Sequence, residues 1–159
     1  MTKRILILSV FVVASCGLAY ELIAGALSSY LLGDSILQFS TIIGCYLFAM
    51  GVGAHVSKYV DDKDVLARFI DIELAVGLIG GVSAALLFMS YAWMAAPFRT
   101  LLYVLVFMIG AMVGMEVPLV MRALNARDTA FNELVSRVLT FDYLGALAVS
   151  LLFPLLLAP

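Results

Sequence analysis

The sequence predicts an all-α fold, a polytopic membrane helix bundle of about five transmembrane helices with its N-terminus in the cytoplasm. Three observations carry that expectation. The chain is 65% hydrophobic and only 13% charged, with a mean hydropathy of +1.15, whereas soluble domains are nearer about half apolar and about one quarter charged. Apolar runs of spanning length recur along it. Its basic residues segregate to alternate connections. A water-soluble fold of 159 residues has too little interior for so much apolar surface, and a bilayer supplies the missing apolar environment.

A spanning helix needs about 20 apolar residues. The first run extends from Ile5 to Leu32, interrupted by Glu21, and is long enough to tilt. Gly33-Asp34-Ser35 reads as a short turn, and the second run covers Ile36 to Val60. Asp61-Asp62-Lys63-Asp64, the most polar stretch, separates it from the third, Phe69 to Tyr91, which carries Asp71 and Glu73 near its start. Ala96-Pro97 breaks the chain before the fourth, Leu101 to Met121, with Glu116 and Pro118. Arg122 to Arg137 is a polar connection in which Phe131, Leu134, Val135 and Val138 recur at helical spacing, the pattern of an interfacial amphipathic segment. The fifth run, Val138 to Leu157, carries Asp142. The whole of 1–159 reads as one integral membrane domain, with no linker, low-complexity segment or soluble catalytic domain. The apolar ending at Leu157-Ala158-Pro159 suggests a fragment or a protein whose continuation is missing.

Orientation follows from the loops, because Lys and Arg accumulate on the cytoplasmic side. Lys3, Arg4, Lys58, Lys63, Arg68, Arg122, Arg127 and Arg137 all fall on one side of the five runs, and Arg99 alone on the other. The expected location is the bacterial cytoplasmic (inner) membrane, multi-pass. The net charge of −2 offers no basic face to nucleic acid. Val13-Ala14-Ser15-Cys16 has the look of a lipoprotein cleavage site, but the apolar run continues past it, as a spanning helix would. Cys16 and Cys45 both sit in apolar runs and read as small packing residues, with no disulfide framework and no metal-ligand spacing.

Lipid tails are as apolar as leucine, so helices associate through close backbone approach and interhelical hydrogen bonds. Gly77 and Gly81 form one GxxxG, Gly110 and Gly114 another, and Gly44, Gly51 and Gly53 line the second run. These glycines are expected to serve helix packing.

Glu21, Glu73, Glu116 and Asp142 carry the chemical interest. A central charged residue costs about 2.5–3.5 kcal/mol on insertion scales, so four such acids, if central, charged and unpaired, would cost on the order of 10 kcal/mol. They are therefore expected to face the bundle interior or water, or to hold a proton. Counted from the cytoplasmic ends of the apolar runs, Glu73, Glu116 and Asp142 lie at one shallow level, roughly 6–8 Å deep, with Glu21 nearer the middle. No Lys or Arg occurs at a comparable depth. An electronegative cavity open to the cytoplasm follows, suited to a proton, a metal ion or an organic amine, with Tyr20 and Tyr143 supplying cation–π faces. The bland alternative is that Tyr20, Tyr46, Ser83 and Tyr143 hydrogen-bond to these acids and lock the bundle. Pro118 frees a backbone carbonyl beside Glu116. His55, the only histidine, reads as an interfacial bystander and the eight methionines as adaptable packing. No nucleophile–histidine pair, H-E-x-x-H, phosphate loop or dinucleotide fingerprint is present, so no catalytic residue is assigned and no metal site is expected.

Ala19-Tyr20-Glu21, the glycine-lined second run, Gly114-Met115-Glu116-Val117-Pro118-Leu119, Phe141-Asp142-Tyr143-Leu144-Gly145-Ala146-Leu147 and Leu152-Phe153-Pro154-Leu155-Leu156-Leu157-Ala158-Pro159 resemble, in order and over nearly the whole chain, the N-terminal membrane portion of bacterial membrane-bound spermidine synthases. The resemblance implies a bundle that anchors a soluble aminopropyltransferase domain of methyltransferase-like fold. That domain would use decarboxylated S-adenosylmethionine to add an aminopropyl group to putrescine. The match ends before any such domain, so no cofactor is expected in this chain. The leading expectation is a membrane module that anchors a polyamine-synthesising domain, binds polyamine cations through Glu21, Glu73, Glu116 and Asp142, or does both. The rivals are a proton-coupled polyamine or small-cation transporter subunit, which would require a homodimer or further helices, and a purely structural module.

Overall fold

A computed structural model describes the backbone of residues 2–93, 95–125 and 131–157, and the side chains of 5–93, 98–124 and 132–156. Among the described residues five long helices carry the fold: α1 (Thr2–Leu32), α2 (Ser35–Val56), α3 (Val65–Trp93), α4 (Ala95–Asn125) and α5 (Phe131–Leu152). All five are long and apolar enough to cross a membrane. A 3₁₀ turn, Ser57–Tyr59, extends α2, and a π-helical turn, Phe153–Leu157, follows α5 at Pro154, where the missing proline N–H breaks the regular ladder.

The helices outrun the apolar runs that announce them. Hydropathy marks the part of a helix that lipid solvates, but the backbone ladder continues into polar sequence wherever its hydrogen bonds are met. α3 therefore starts at Val65 rather than Phe69, and α4 covers Ala95–Asn125 rather than 101–121. Ala96 and Pro97 belong to the first turn of α4 instead of preceding it; proline is tolerated there because the first helical N–H groups have no partner anyway. The segment expected to lie in the interface is the opening of α5 from Phe131, and Leu134 and Val138 on it are 3% and 0% exposed, packed with Leu6, Val10, Phe69 and Leu124. Arg127 lies outside the described residues.

Chain reversal between α1 and α2 takes two residues with positive φ, Gly33 at 73° and Asp34 at 48°. The Asp34 carboxylate then accepts the Leu37 N–H at 3.2 Å and caps α2. Between α2 and α3 the chain turns through Asp61–Asp64, tied to the end of α4 by Arg122. Its guanidinium donates to the Ser57 and Val60 carbonyls at 2.9 and 2.7 Å and pairs with Asp62.

Two apolar clusters show how the helices alternate. The starts of α1, α3 and α5 meet the end of α4 around Leu6, Phe69, Leu119 and Val138. At the other end Ala24, Leu87, Phe98 and Leu102 pack with Ile42 and Tyr46 of α2. The end carrying Lys58, Lys63, Arg68, Arg122 and Arg137 is called the basic end below. α4 is the central helix: half of its apolar window is buried, against 17–28% in the other four. α2 and α3 pack on α4, and α5 packs chiefly on α1.

Candidate functional site within the bundle

Glu73, Glu116 and Asp142 lie eight, nine and eleven residues from the basic ends of their helices, Val65, Asn125 and Phe131. At about 1.5 Å per residue that is roughly 12–17 Å from the helix ends. Glu116 is 5% exposed, and its Oε1 is buried without a hydrogen-bond partner. It stands within Coulombic reach of Glu73 on α3 and Asp142 on α5. Glu116 and Asp142 line one small cavity with Val10, Val13, Phe69, Val117 and Val120. Glu73 faces a separate groove of about 590 Å³ between α1 and α3, walled by Ile5, Leu8, Val12, Leu66, Ile70 and Leu74. Its Oε1 is likewise buried and unpartnered.

Local sequence explains how the acids come together. Gly114 lets α4 close on Met50 of α2, where a Cβ would overlap the Met50 carbonyl. Two residues on, Glu116 points inward. Pro118 removes the N–H that would bond the Gly114 carbonyl, which leaves an acceptor beside the acid. On α5, Gly145 sits three residues after Asp142 and so on the same face. It lets α5 approach the Phe11 carbonyl of α1, and Ser15 Oγ reaches the Gly145 carbonyl at 3.2 Å.

Glu21 is placed apart from the other three. It is 9% exposed and lines a second small cavity with Tyr20, Tyr46, Ser83, Leu105, Val106 and Ile109. The Tyr20 ring lies against Gly80 of α3. Tyr143, the other aromatic candidate, is 67% exposed and points away from the acids. Ser83 donates to the Gly80 carbonyl at 2.6 Å rather than to Glu21. Ser15 and Ser28 likewise donate within their own helix, the usual competition between a helical hydroxyl and any more distant acceptor. Among the described residues the ion pairs are Arg68–Asp71, Arg122–Asp62 and Arg137–Glu133, and none involves the four intramembrane acids.

Of the packing glycines, Gly110 meets Ala49 and Tyr46 of α2, and Gly114 meets Met50. Gly77 and Gly81 have no atom of the bundle within 4 Å of a built Cβ and face outward, while the intervening Gly80 makes the interhelical contact. Tyr46, which the sequence offered only as a hydrogen-bond partner for the acids, is 3% exposed, with its hydroxyl buried and unpartnered. A signal for it exists: Ile42, Tyr46, Ala49 and Gly53 recur at helical spacing and form the buried stripe of α2.

Among the described residues no three His, Cys, Asp or Glu side chains converge closely enough to hold one metal ion. Glu116 lies within Coulombic reach of Glu73 and Asp142, and the groove beside Glu73 is apolar along its walls.

No family model and no solved structure matches the chain. Comparison with curated proteins does find relatives. The chain is 73% identical over 157 residues to polyamine aminopropyltransferase 2 of Ralstonia nicotianae, an alignment covering 99% of this chain and 31% of that protein. It is 51% identical over 154 residues to the polyamine aminopropyltransferase of Leptospira interrogans, covering 97% and 30%. It is 39% identical over 158 residues to polyamine aminopropyltransferase 1 of Streptomyces coelicolor, covering 99% and 29%. The chain is thus homologous to bacterial polyamine aminopropyltransferases and spans about 30% of their length. Five apolar spans and bacterial relatives place it in the cytoplasmic (inner) membrane as a multi-pass protein whose immediate partner is the lipid bilayer.

Proposed function

We propose that this chain is the membrane portion of a polyamine aminopropyltransferase-type protein, that it anchors a cytoplasmic synthase domain, and that its intramembrane carboxylates hold the ammonium groups of polyamines. The observation that carries the reading is Glu116: nearly fully buried, unpartnered at Oε1, and flanked by acids on two other helices, with no ion pair to any of them among the described residues. A buried carboxylate left so is costly, and a cationic guest removes the cost. Polyamines fit the surroundings, since each ammonium is separated from the next by methylenes. The methylenes suit the Ile, Leu and Val walls of the groove at Glu73, and the ammonium groups suit Glu73, Glu116 and Asp142. The curated relatives are about three times as long as their aligned part, which leaves room for the synthase domain that the anchoring role requires.

Direct binding of radiolabelled spermidine to the purified chain in detergent tests this. Glu73→Gln, Glu116→Gln and Asp142→Asn should each weaken binding about ten-fold or more, the loss expected when one charge-assisted contact worth about 1.5–3 kcal/mol disappears, while the thermal transition is retained. Glu21→Gln should weaken it less, since Glu21 lines a different cavity. Equal affinity in all four variants would leave the chain as an anchor alone.

A further inference from the structure

Tyr46 of α2 lines the Glu21 cavity. Its hydroxyl rests over Gly17 of α1 and Val113 of α4: a Cβ on Gly17 would stand 3.1 Å from the Tyr46 oxygen and 3.1 Å from a Val113 methyl. Glu21 follows Gly17 by four residues and Glu116 follows Val113 by three, so each acid lies one turn further along the same face of its helix. α1 runs away from the basic end and α4 runs toward it. The two acids therefore flank the hydroxyl from opposite directions along the bundle axis, Glu21 displaced by about 6 Å and Glu116 by about 4.5 Å of helix rise. Tyr46 feels the charges of Glu21, Glu116 and Asp142, and it lines the Glu21 cavity directly. The other titratable groups nearby are Cys16 on α1, within reach of Glu73 and Glu116, and Cys45 beside Tyr46 on α2.

The hydroxyl is buried and makes no hydrogen bond, which for a phenol in a packed bundle has a cost of about 1–3 kcal/mol. A phenylalanine would fill the same apolar space without that cost, so packing alone does not account for the oxygen. What the oxygen adds is the capacity to accept and donate at once.

We propose that the Tyr46 hydroxyl joins the Glu21 and Glu116 cavities as a proton relay. In one passage a protonated Glu21 carboxyl gives its proton to the Tyr46 oxygen while the Tyr46 O–H gives its own proton to the Glu116 carboxylate. One O–H bond breaks and one forms at the phenol, which ends neutral and resets by rotation about C–O. The reverse passage is the same step read backwards, and neither needs a co-reactant. The relay requires the Glu21 and Glu116 side chains to turn about their own torsions to meet the hydroxyl, which has no hydrogen-bond partner in the structure. The relay does not depend on polyamine binding.

Its test is proton flux through the chain reconstituted in liposomes that hold a pH-sensitive dye, in buffer free of polyamines, with potassium and valinomycin balancing charge. Flux above that of protein-free vesicles is expected. Tyr46→Phe should cut the excess at least ten-fold, and so should Glu21→Gln and Glu116→Gln. Tyr103→Phe, which removes a hydroxyl bonded to Thr41 at the other end of the bundle, should leave it unchanged. Thermal unfolding of each variant in detergent reports the fold; if Tyr46→Phe fails to assemble, the two flanking amide variants carry the comparison. No excess flux in the unmodified chain, or flux in any assembled relay variant equal to it, overturns the relay. Spermidine binding by the unmodified chain is measured separately, so absence of flux with binding retained removes the relay alone, and absence of binding with flux retained removes the polyamine site alone.

Discussion

A Cβ added at Gly53 would overlap the Ala111 carbonyl oxygen, and one added at Gly114 would overlap the backbone of Met50. In both places the obstruction is backbone of the facing helix, which cannot swing aside as a side-chain tip can. Gly53→Ala and Gly114→Ala should each destabilise the bundle by about 1–3 kcal/mol, the range for overpacking a filled interior, read as a lower midpoint in denaturant titration of the detergent-solubilised chain. Gly77→Ala and Gly81→Ala, which meet open space, should leave that midpoint unchanged or raise it slightly through helix propensity. A loss at Gly77 or Gly81 equal to that at Gly53 would mean that the outward face of α3 packs on something after all. These contrasts mark what sequence reading reaches at this scale. The GxxxG spacing is visible in both α3 and α4, but spacing names a face without naming its neighbour. Tyr143 looked like a site residue because it adjoins Asp142. Consecutive helical residues, however, point about 100° apart, and with Asp142 turned inward Tyr143 is left in the lipid-facing direction at 67% exposure. Tyr46, twenty-five residues from Glu21 in sequence, reaches it only because α2 folds back on α1.

Between elements, the tie that fixes the basic end is Arg122 on α4. It donates to the Ser57 carbonyl, which also accepts the Val60 N–H, and to the Val60 carbonyl just past the 3₁₀ turn, and it holds Asp62 in the turn beyond. Those carbonyls lie next to the C-terminal, negative end of α2, so a cation there is favoured twice, by hydrogen bonds and by field. Arg122→Ala should cost about 1–2 kcal/mol and speed amide hydrogen exchange through residues 57–64; Arg122→Lys should recover little of it, because an ammonium lacks the fork that serves two carbonyls and a carboxylate together. Asp62→Asn should cost less than about 1 kcal/mol, since Asp62 is largely solvated. Exchange at 57–64 that is unaffected by removal of Arg122 would show the turn to be held by other means. The helices themselves were legible from hydropathy because five long apolar windows have no soluble alternative. Their ends were not, because Val65–Arg68 and Phe131–Arg137 are helical for reasons of backbone hydrogen bonding and packing that an apolar count does not register.

For the molecule as a whole, what matters is which way the basic end faces, because the groove at Glu73 lies nearer to it, between the first turns of α1 and α3. A cation made in the cytoplasm reaches Glu73 without crossing the membrane only if that end is cytoplasmic. The charge asymmetry argues that it is: Lys58, Lys63, Arg68, Arg122 and Arg137 gather there, and Arg99 is at the opposite end, the distribution that insertion machinery leaves on the cytoplasmic side. Single cysteines settle the matter. In a background with Cys16 and Cys45 replaced by alanine, Lys63→Cys should resist a membrane-impermeant maleimide in intact cells and react once the membrane is opened, while Arg99→Cys should react from outside at once. Both positions lie at ends of the bundle rather than in its packed middle, so neither substitution threatens assembly. The opposite labelling pattern would turn the groove toward the outside and separate it from any cytoplasmic synthase domain. Polyamine binding measured in detergent would then describe capture from outside the cell, and the anchoring role would have to be abandoned.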